Sequence, residues 1–156
     1  MIGKRLYVRI HRDWLQVRDV KNGIEVKEPA LLALSLPARK ILGSGTEALA
    51  LRARPDVLVV NPFGHPRSPF SDFTVAELLL KAFLDKLGAG KFPGVELIVT
   101  SLVEPLEGDI TQVEIRVMKE LALGAGTRRV VVWSGPQLTD EQVARQQFPT
   151  TGEVLD

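Results

Sequence analysis

Apolar and polar residues alternate along the first 34 residues in three runs, and this pattern predicts β-strands. Residues 5–10 and 14–20 flank a charged turn, and residues 23–34 follow the pair Asn22-Gly23. Asn-Gly between two alternating runs is typical of a hairpin, because both residues tolerate the positive φ of a type I′ turn. The pattern therefore predicts a three-stranded antiparallel meander at the start of the chain.

The middle of the chain has shorter hydrophobic runs and more residues that are typical of loops. A strand is predicted near residues 40–42, a brief helix near 47–52 and another strand at 57–60. Residues 61–72 contain three prolines and a glycine, so they predict a loop. His65 lies in a His-Pro-Arg stretch that we expect only to shape that loop.

Helical and strand patterns alternate in the second half. Three helices share one start signature, a capping box in which Thr is followed three residues later by Glu or Gln: Thr74 and Glu77, Thr111 and Glu114, and Thr139 and Gln142. Residues 95–101 and 128–135 are apolar enough to be buried strands, and residues 149–156 are expected to fray. This order predicts an α/β domain on a mixed sheet.

Composition is that of an ordinary globular protein. The chain has 156 residues, of which 45% are hydrophobic and 25% charged, so we expect one domain over residues 1–156. The formal net charge is +1, which gives no field that would favour nucleic acid as a partner. No run of about 18 apolar residues occurs, so we expect no membrane span and a cytoplasmic location.

Several kinds of catalytic or metal site are excluded by residue type. The absence of cysteine excludes disulfides, thiolate zinc sites and cysteine catalysis. His11 and His65 are the only histidines, and neither has a carboxylate at the spacing of a metal site, so we predict no metal. Ser101, Ser134 and Thr139 lack the partners of a catalytic triad.

Colinear stretches resemble the MreB family of bacterial actins, the rod shape-determining proteins. GIEVKEPALLAL (23–34) resembles the family's Gly-Ile-Val-Leu-Asn-Glu-Pro-Ser, and SDFTVAELLLKAFLDKL (71–87) is similar to its Ala-Asp-Phe helix entry. VELIVTSLVEPLEGDITQVEIRVMKELALGAGTRRVVVW (95–133) is similar to a strand, a Thr-x-Val-Glu-Arg-Arg-Ala helix, an Ala-Gly-Ala turn and the next strand. The likeness implies a ribonuclease H-like, actin-like first lobe, in which helix-strand units follow the meander.

The resemblance fails at the first hairpin. The family carries Asp-x-Gly-Thr there, whose backbone N–H groups and hydroxyl hold phosphates while the aspartate addresses the metal. Alignment on the GIEVKEP stretch places those positions at about Arg9, His11 and Arg12. The aspartate is replaced by arginine, and the glycine that lets backbone approach a phosphate is missing. These positions form a degenerate phosphate loop, which is either a solvated turn or a new anion site.

The family also continues into a second lobe, which bears the other phosphate loop and the adenosine pocket. This sequence stops before that lobe, and residues 35–60 correspond to a reduced form of the family's small inserted subdomain. We therefore predict no cofactor. ATP and Mg²⁺ are expected only if a second polypeptide completes the site.

The resemblance gives candidate roles to three further residues. Glu114 lies where the family has a glutamate linked to ATP hydrolysis and partner contacts, although capping with Thr111 explains it equally well. Lys91 and Phe92 lie in a loop comparable to one whose apolar residues enter the inner membrane. One Phe beside one Lys is a weak anchor worth about 2 kcal/mol, and the alternative places Phe92 in a satellite core.

Three functions compete at this point. The favoured one is a non-catalytic cell-shape module that binds a protein such as MreB or dimerises, with an exposed apolar patch where a second lobe would pack. An ATPase half-site completed by another polypeptide is the alternative, but it needs an acid at the first turn. A metal-dependent nuclease needs a carboxylate on the first strand, and residues 5–10 have none.

Overall fold

The computed structural model describes residues 3–64, 70–103 and 110–155. The described strands and helices follow in this order: β1 (Lys4–Ile10), β2 (Trp14–Asp19), β3 (Ile24–Pro29), β4 (Leu32–Ser35), β5 (Ile41–Ser44), α1 (Thr46–Ala50), β6 (Val57–Val60), α2 (Phe73–Lys86), β7 (Val95–Leu102), α3 (Gln112–Gly124), β8 (Arg129–Ser134), α4 (Asp140–Arg145) and β9 (Glu153–Leu155). No helix in these described ranges is long and apolar enough to cross a bilayer.

A six-stranded mixed sheet, in the order β3-β2-β1-β7-β8-β9, forms the centre of the fold. Strands β1, β2 and β3 pair antiparallel as the predicted meander. Strand β1 also pairs parallel with β7, and β7 pairs parallel with β8. The predicted α/β class and mixed sheet are confirmed.

The third predicted strand is wrong in its length. Residues 23–34 divide into β3 and β4, and β4 belongs to a separate sheet of order β5-β4-β6. Pro29 ends β3 because proline has no N–H to continue a ladder, and the Leu31 N–H donates to the Pro29 carbonyl at 2.8 Å. The second sheet and α1 form a small subdomain, residues 32–60. It contains the strands and the brief helix expected in this region.

The main sheet has an apolar layer on each face. On one face, strand residues Val8 and Val17 pack with Leu79 of α2 and Leu121 of α3, all at most 2% exposed. On the other face, Trp133 is fully buried in a cluster that includes Val143 of α4. The second layer is smaller, so the β2–β3 part of that face carries polar side chains instead.

Helix starts follow the capping prediction at two positions and depart from it at one. The boxes at α3 and α4 are formed by Thr111 and Thr139. The prediction for α2 is wrong, because Asp72 is the N-cap and its carboxylate accepts from the Val75 N–H. Helix α2 therefore begins before Thr74.

The end of the chain differs from the expected frayed tail. Residues 153–155 form β9, which pairs antiparallel with β8 at the edge of the main sheet. Gly152 precedes this strand, and a Cβ at that position would lie 2.6 Å from the Trp133 ring. A glycine is needed there because the chain passes directly over that tryptophan.

Candidate functional site

The β1–β2 hairpin uses its own polar groups at the predicted phosphate-loop positions. The His11 N–H donates to the Trp14 carbonyl at 3.0 Å. The Asp13 N–H donates to Nδ1 of the His11 ring, also at 3.0 Å. The Asn61 amide donates to the Arg12 carbonyl at 2.6 Å. Two N–H groups of this turn are thus occupied by acceptors inside the hairpin.

Aromatic and cationic side chains pack around the hairpin. The His11 and Trp14 rings stack with centroids 5.0 Å apart and planes 5° apart. The Arg9 guanidinium carbon lies 5.4 Å and the Lys27 Nζ 4.2 Å from the Trp14 centroid. The structure therefore brings Arg9 and His11 together around Trp14, with Lys27 joining from β3. The roles of Trp14 and Lys27 were missed by the sequence reasoning.

The hairpin has little chemistry suited to Mg²⁺ and a nucleotide. The one carboxylate of its turn, Asp13, is 72% exposed and lies 3.9 Å from His11 Nδ1 and 4.0 Å from Arg12 Nε. Among the described residues, no cluster of three His, Asp or Glu side chains could hold a metal. Since Mg²⁺ takes oxygen ligands, the residues of this turn do not fit a metal–phosphate group.

Glu114 makes its hydrogen bonds within the first turn of α3. Its Oε1 accepts from the Thr111 N–H at 2.9 Å, and its own N–H donates to Thr111 Oγ1 at 3.2 Å. The capping role is therefore confirmed. The other carboxylate oxygen, Oε2, is buried and has no hydrogen-bond partner in the described structure.

The loop with Lys91 and Phe92 lies at the opposite end of β1 from the hairpin. The Lys4 N–H donates to the Gly94 carbonyl at 2.8 Å, which places the loop beside the start of that strand. Phe92 is 86% exposed, so the satellite-core interpretation is wrong. The His-Pro-Arg stretch at 65–67 lies outside the described residues.

A polar network on the outward face of the meander was not predicted. Arg18 donates to both carboxylate oxygens of Asp140 at 2.7 and 2.8 Å, and to Glu25 at 2.7 Å. Gln16, which is 6% exposed, accepts from Arg9 and donates to Glu25, both at 2.9 Å. The hydrogen bonds from Arg18 hold the pKa of Asp140 below its usual range. These side chains line a groove of about 450 Å³ between the sheet and α4.

Sequence comparison finds partial relatives among bacterial cell-shape proteins. The chain is 26% identical over 137 residues to cell shape-determining protein Mbl of Bacillus subtilis, covering 86% of this chain and 39% of the relative. It is 27% identical over 124 residues to cell shape-determining protein MreB of Haemophilus influenzae, covering 74% and 33%. No protein-family model matches. The chain thus spans only 33–39% of the length of these relatives.

Solved structures with the same architecture are actin-like. MreB5 of Spiroplasma citri bound to ADP superposes with a TM-score of 0.64 at 19% identity, covering 82% of this chain and 37% of that one. A non-polymerising mutant of MamK bound to AMPPNP gives 0.62 at 16% identity, covering 83% and 41%. In sequence and in fold, the chain is therefore similar to one part of the longer MreB-like, actin-family proteins.

Proposed function

We propose that this chain is a non-catalytic, MreB-like interaction module of a cytoskeletal or cell-shape assembly. In this proposal it binds a protein partner, an MreB-type protein or a second copy of itself, and does not depend on ATP. Similarity to cell shape-determining proteins over most of the chain supports the cytoskeletal part.

The occupied turn of the hairpin is the observation that carries the non-catalytic part. A phosphate held by this turn would need its backbone N–H groups as donors, but those of His11 and Asp13 already donate to internal acceptors. Cationic Arg9 stands near the position where the family has a metal-directed aspartate. Binding a nucleotide here would require the hairpin to break its own hydrogen bonds first.

Exposed apolar side chains support a partner-binding role. Four of the exposed large hydrophobic residues belong to the small subdomain: Leu36, Ile41, Leu42 and Leu49, which are 42–48% exposed. Ile41 is paired with Leu34 across the β4–β5 ladder, so its side chain extends the same face of the small sheet as Leu34. Apolar exposure concentrated in one small subdomain favours association with another protein.

Light scattering combined with thermal unfolding tests this proposal. We expect a dimer, or a monomer that is captured by an MreB-type protein, and no change in either mass or Tm with millimolar ATP and Mg²⁺. A ligand at 100 times its Kd would stabilise the fold by about 2.7 kcal/mol. A rise of several degrees in Tm, or assembly only with ATP, would overturn the non-catalytic proposal.

One observation favours the alternative of an ATPase half-site completed by another polypeptide. The buried Oε2 of Glu114 has no partner in the described structure, and buried carboxylate oxygens normally have one. In this alternative, a second lobe would supply the missing donor and the nucleotide pocket. Phosphate release from ATP by the chain mixed with its partner, abolished by Glu114→Gln, is the result that would support it.

A further inference from the structure

Two cations share one aromatic ring on the outward face of the meander, and neither has a carboxylate partner among the residues that the structure describes. Arg9 donates to the neutral amide of Gln16 at 2.9 Å and lies over Trp14. Lys27 lies 4.2 Å from the same ring centroid and makes no ion pair within the described residues. Two positive charges that no described carboxylate pairs with are therefore held within 5.4 Å of one ring centroid.

Strand register fixes the positions of these charges. Arg9 pairs with Gln16 across β1 and β2, and Gln16 pairs with Lys27 across β2 and β3. Directly paired residues point to the same face of a sheet, so the three side chains form a row. Gln16 is 6% exposed and is held from both sides by Arg9 and Glu25. The row is built into the sheet rather than carried on a loop.

The groove beside this row continues the same face with a different charge balance. Its far end holds Arg18, which is neutralised by ion pairs to Asp140 and Glu25 at 2.7 Å. Gln137 and Thr139 contribute uncharged polar groups to the lining. The face is therefore positive at the Trp14 end, whereas the groove beyond Arg9 carries one cation and two carboxylates.

We infer that this face, formed by Arg9, Trp14, Gln16 and Lys27 and here called the Trp14 face, binds an extended acidic segment of a protein partner. A carboxylate of the segment would pair with Arg9 and Lys27, and its backbone would follow the polar groove. Charge complementarity identifies the occupant, because only an acidic group removes the unpaired positive charge. The inference rests on the proposed function in taking the partner to be a protein.

Other anionic ligands fit the Trp14 face less well. A nucleobase needs a free aromatic face for stacking, but His11 already stacks on Trp14 in parallel at 5.0 Å. A free phosphate would use the two cations but none of the polar groove. A peptide chain uses both parts, since its amides can pair with the groove's side chains.

Tryptophan fluorescence gives a direct assay. The chain has two tryptophans, and Trp133 is fully buried, so quenching by iodide reports on Trp14. An N-acetylated hexaglutamate peptide is titrated at low salt, where exposed charges are least screened, against hexaglutamine of the same length. We expect hexaglutamate, but not hexaglutamine, to protect Trp14 from iodide.

Substitutions that remove one positive charge test whether hexaglutamate binds at the Trp14 face. Lys27 is exposed, so Lys27→Gln should fold normally and weaken hexaglutamate binding by about fivefold or more. Arg9→Gln should weaken it similarly, whereas Arg9→Lys should largely restore it. Lys21→Gln is the matched control, because it removes the same charge from the exposed far end of the same meander. We expect it to change binding by less than about twofold.

Three results would overturn the inference: equal weakening by the Lys21 and Lys27 variants, displacement of the peptide by inorganic phosphate at equal concentration, or stronger protection by an oligothymidylate of equal charge. These results leave the proposed function standing. That function fails separately, if ATP with Mg²⁺ raises the Tm of the native chain.

Discussion

Glu28 and Lys86 join the small subdomain to the rest of the lobe. The Lys86 ammonium donates to Glu28 Oε1 and to the Ser44 carbonyl, both at 2.9 Å. Glu28 Oε1 also accepts from the Thr46 N–H at the start of α1, at 2.9 Å. Lys86 Nζ also lies 3.2 Å from Glu47 Oε1 of α1, but its pair with Glu28 is the one that joins the ends of β3 and α2 to the β5–α1 corner. We call it the Glu28–Lys86 latch and predict that Lys86→Met weakens the fold.

The expected loss follows from the contacts that disappear. Methionine keeps the apolar stem near Phe83, where the ammonium now lies 5.3 Å from the ring centroid. In the Lys86→Met variant, Glu28 Oε1 keeps the Thr46 N–H as a donor. The Ser44 carbonyl loses the hydrogen bond from Lys86. Hydrogen bonds to charged groups are worth about 1.5–3 kcal/mol. The Lys86 and Glu28 side chains are 23% and 24% exposed, so water replaces part of this, and we expect a loss of about 1.5 kcal/mol.

Urea unfolding followed by far-UV circular dichroism measures this loss. For a chain of this size, a loss of about 1.5 kcal/mol lowers Tm by about 3–6 °C. Lys81→Met is the matched control on the same helix, since Lys81 is 46% exposed and pairs with Glu77 at 3.1 Å. An exposed i,i+4 pair contributes about 0.3–0.5 kcal/mol. If the two variants lose the same free energy of unfolding, the latch does not hold the subdomains together.

The latch also predicts an acid sensitivity. Burial alone would raise the pKa of Glu28, but the hydrogen bonds from the Thr46 N–H and the Lys86 ammonium outweigh it and hold that pKa below its usual range. A lowered folded-state pKa gives stability that is present above the ordinary glutamate pKa and is lost as pH falls through the folded value. Glu28→Gln should therefore flatten the acid limb of the stability profile. An unchanged limb would contradict this.

Three further changes test separate features. Thr111→Ala should cost about 1 kcal/mol by calorimetry, while Glu114→Gln should be nearly silent because Gln also fits a capping box; equal losses would contradict capping. Gly45→Ala should destabilise by more than about 1 kcal/mol in urea, because φ is +62° and its Cβ would overlap Glu28; unchanged stability would refute that. Phe92→Ala should leave stability within about 0.5 kcal/mol but weaken any co-sedimentation with anionic vesicles; absence of sedimentation by the native chain would end the membrane hypothesis.

Local signals predicted most of the fold. The meander forms as predicted, and two of three capping boxes form. The Asn-Gly turn is only partly right: Gly23 adopts a φ of +71°, but Asn22 does not have a positive φ. Residues 20–23 therefore form a four-residue loop between the paired residues Asp19 and Ile24, and the predicted two-residue type I′ turn is wrong. The failures have local causes of their own. Pro29 interrupts a run that is apolar on both sides, and Asp72 competes successfully with Thr74 for the cap of α2. Strand β9 has only three residues, too few to show a period.

Long-range pairing explains why the candidate site was only partly predicted. Sequence reasoning identified Arg9, His11 and Arg12 because a family motif is expected there. Lys27 reaches the same ring because the β1–β2 and β2–β3 registers place it in line with Arg9. The alternation of side chains along these strands could have predicted that position once both turns were assigned. The latch pair is separated by 58 residues, and no local pattern connects the two.

Association through the two candidate binding surfaces should depend on salt in different ways. The Trp14 face presents two cations that have no carboxylate partner among the described residues, so a partner there gains charge pairing and buries little apolar area. The small subdomain instead exposes Leu36, Ile41 and Leu49, and burial of apolar surface is strengthened rather than screened by salts such as sulfate. Exposed charges are screened within about 8 Å at physiological ionic strength. Association through the Trp14 face should therefore weaken as salt rises, while association through the small subdomain should persist, and one salt titration separates them.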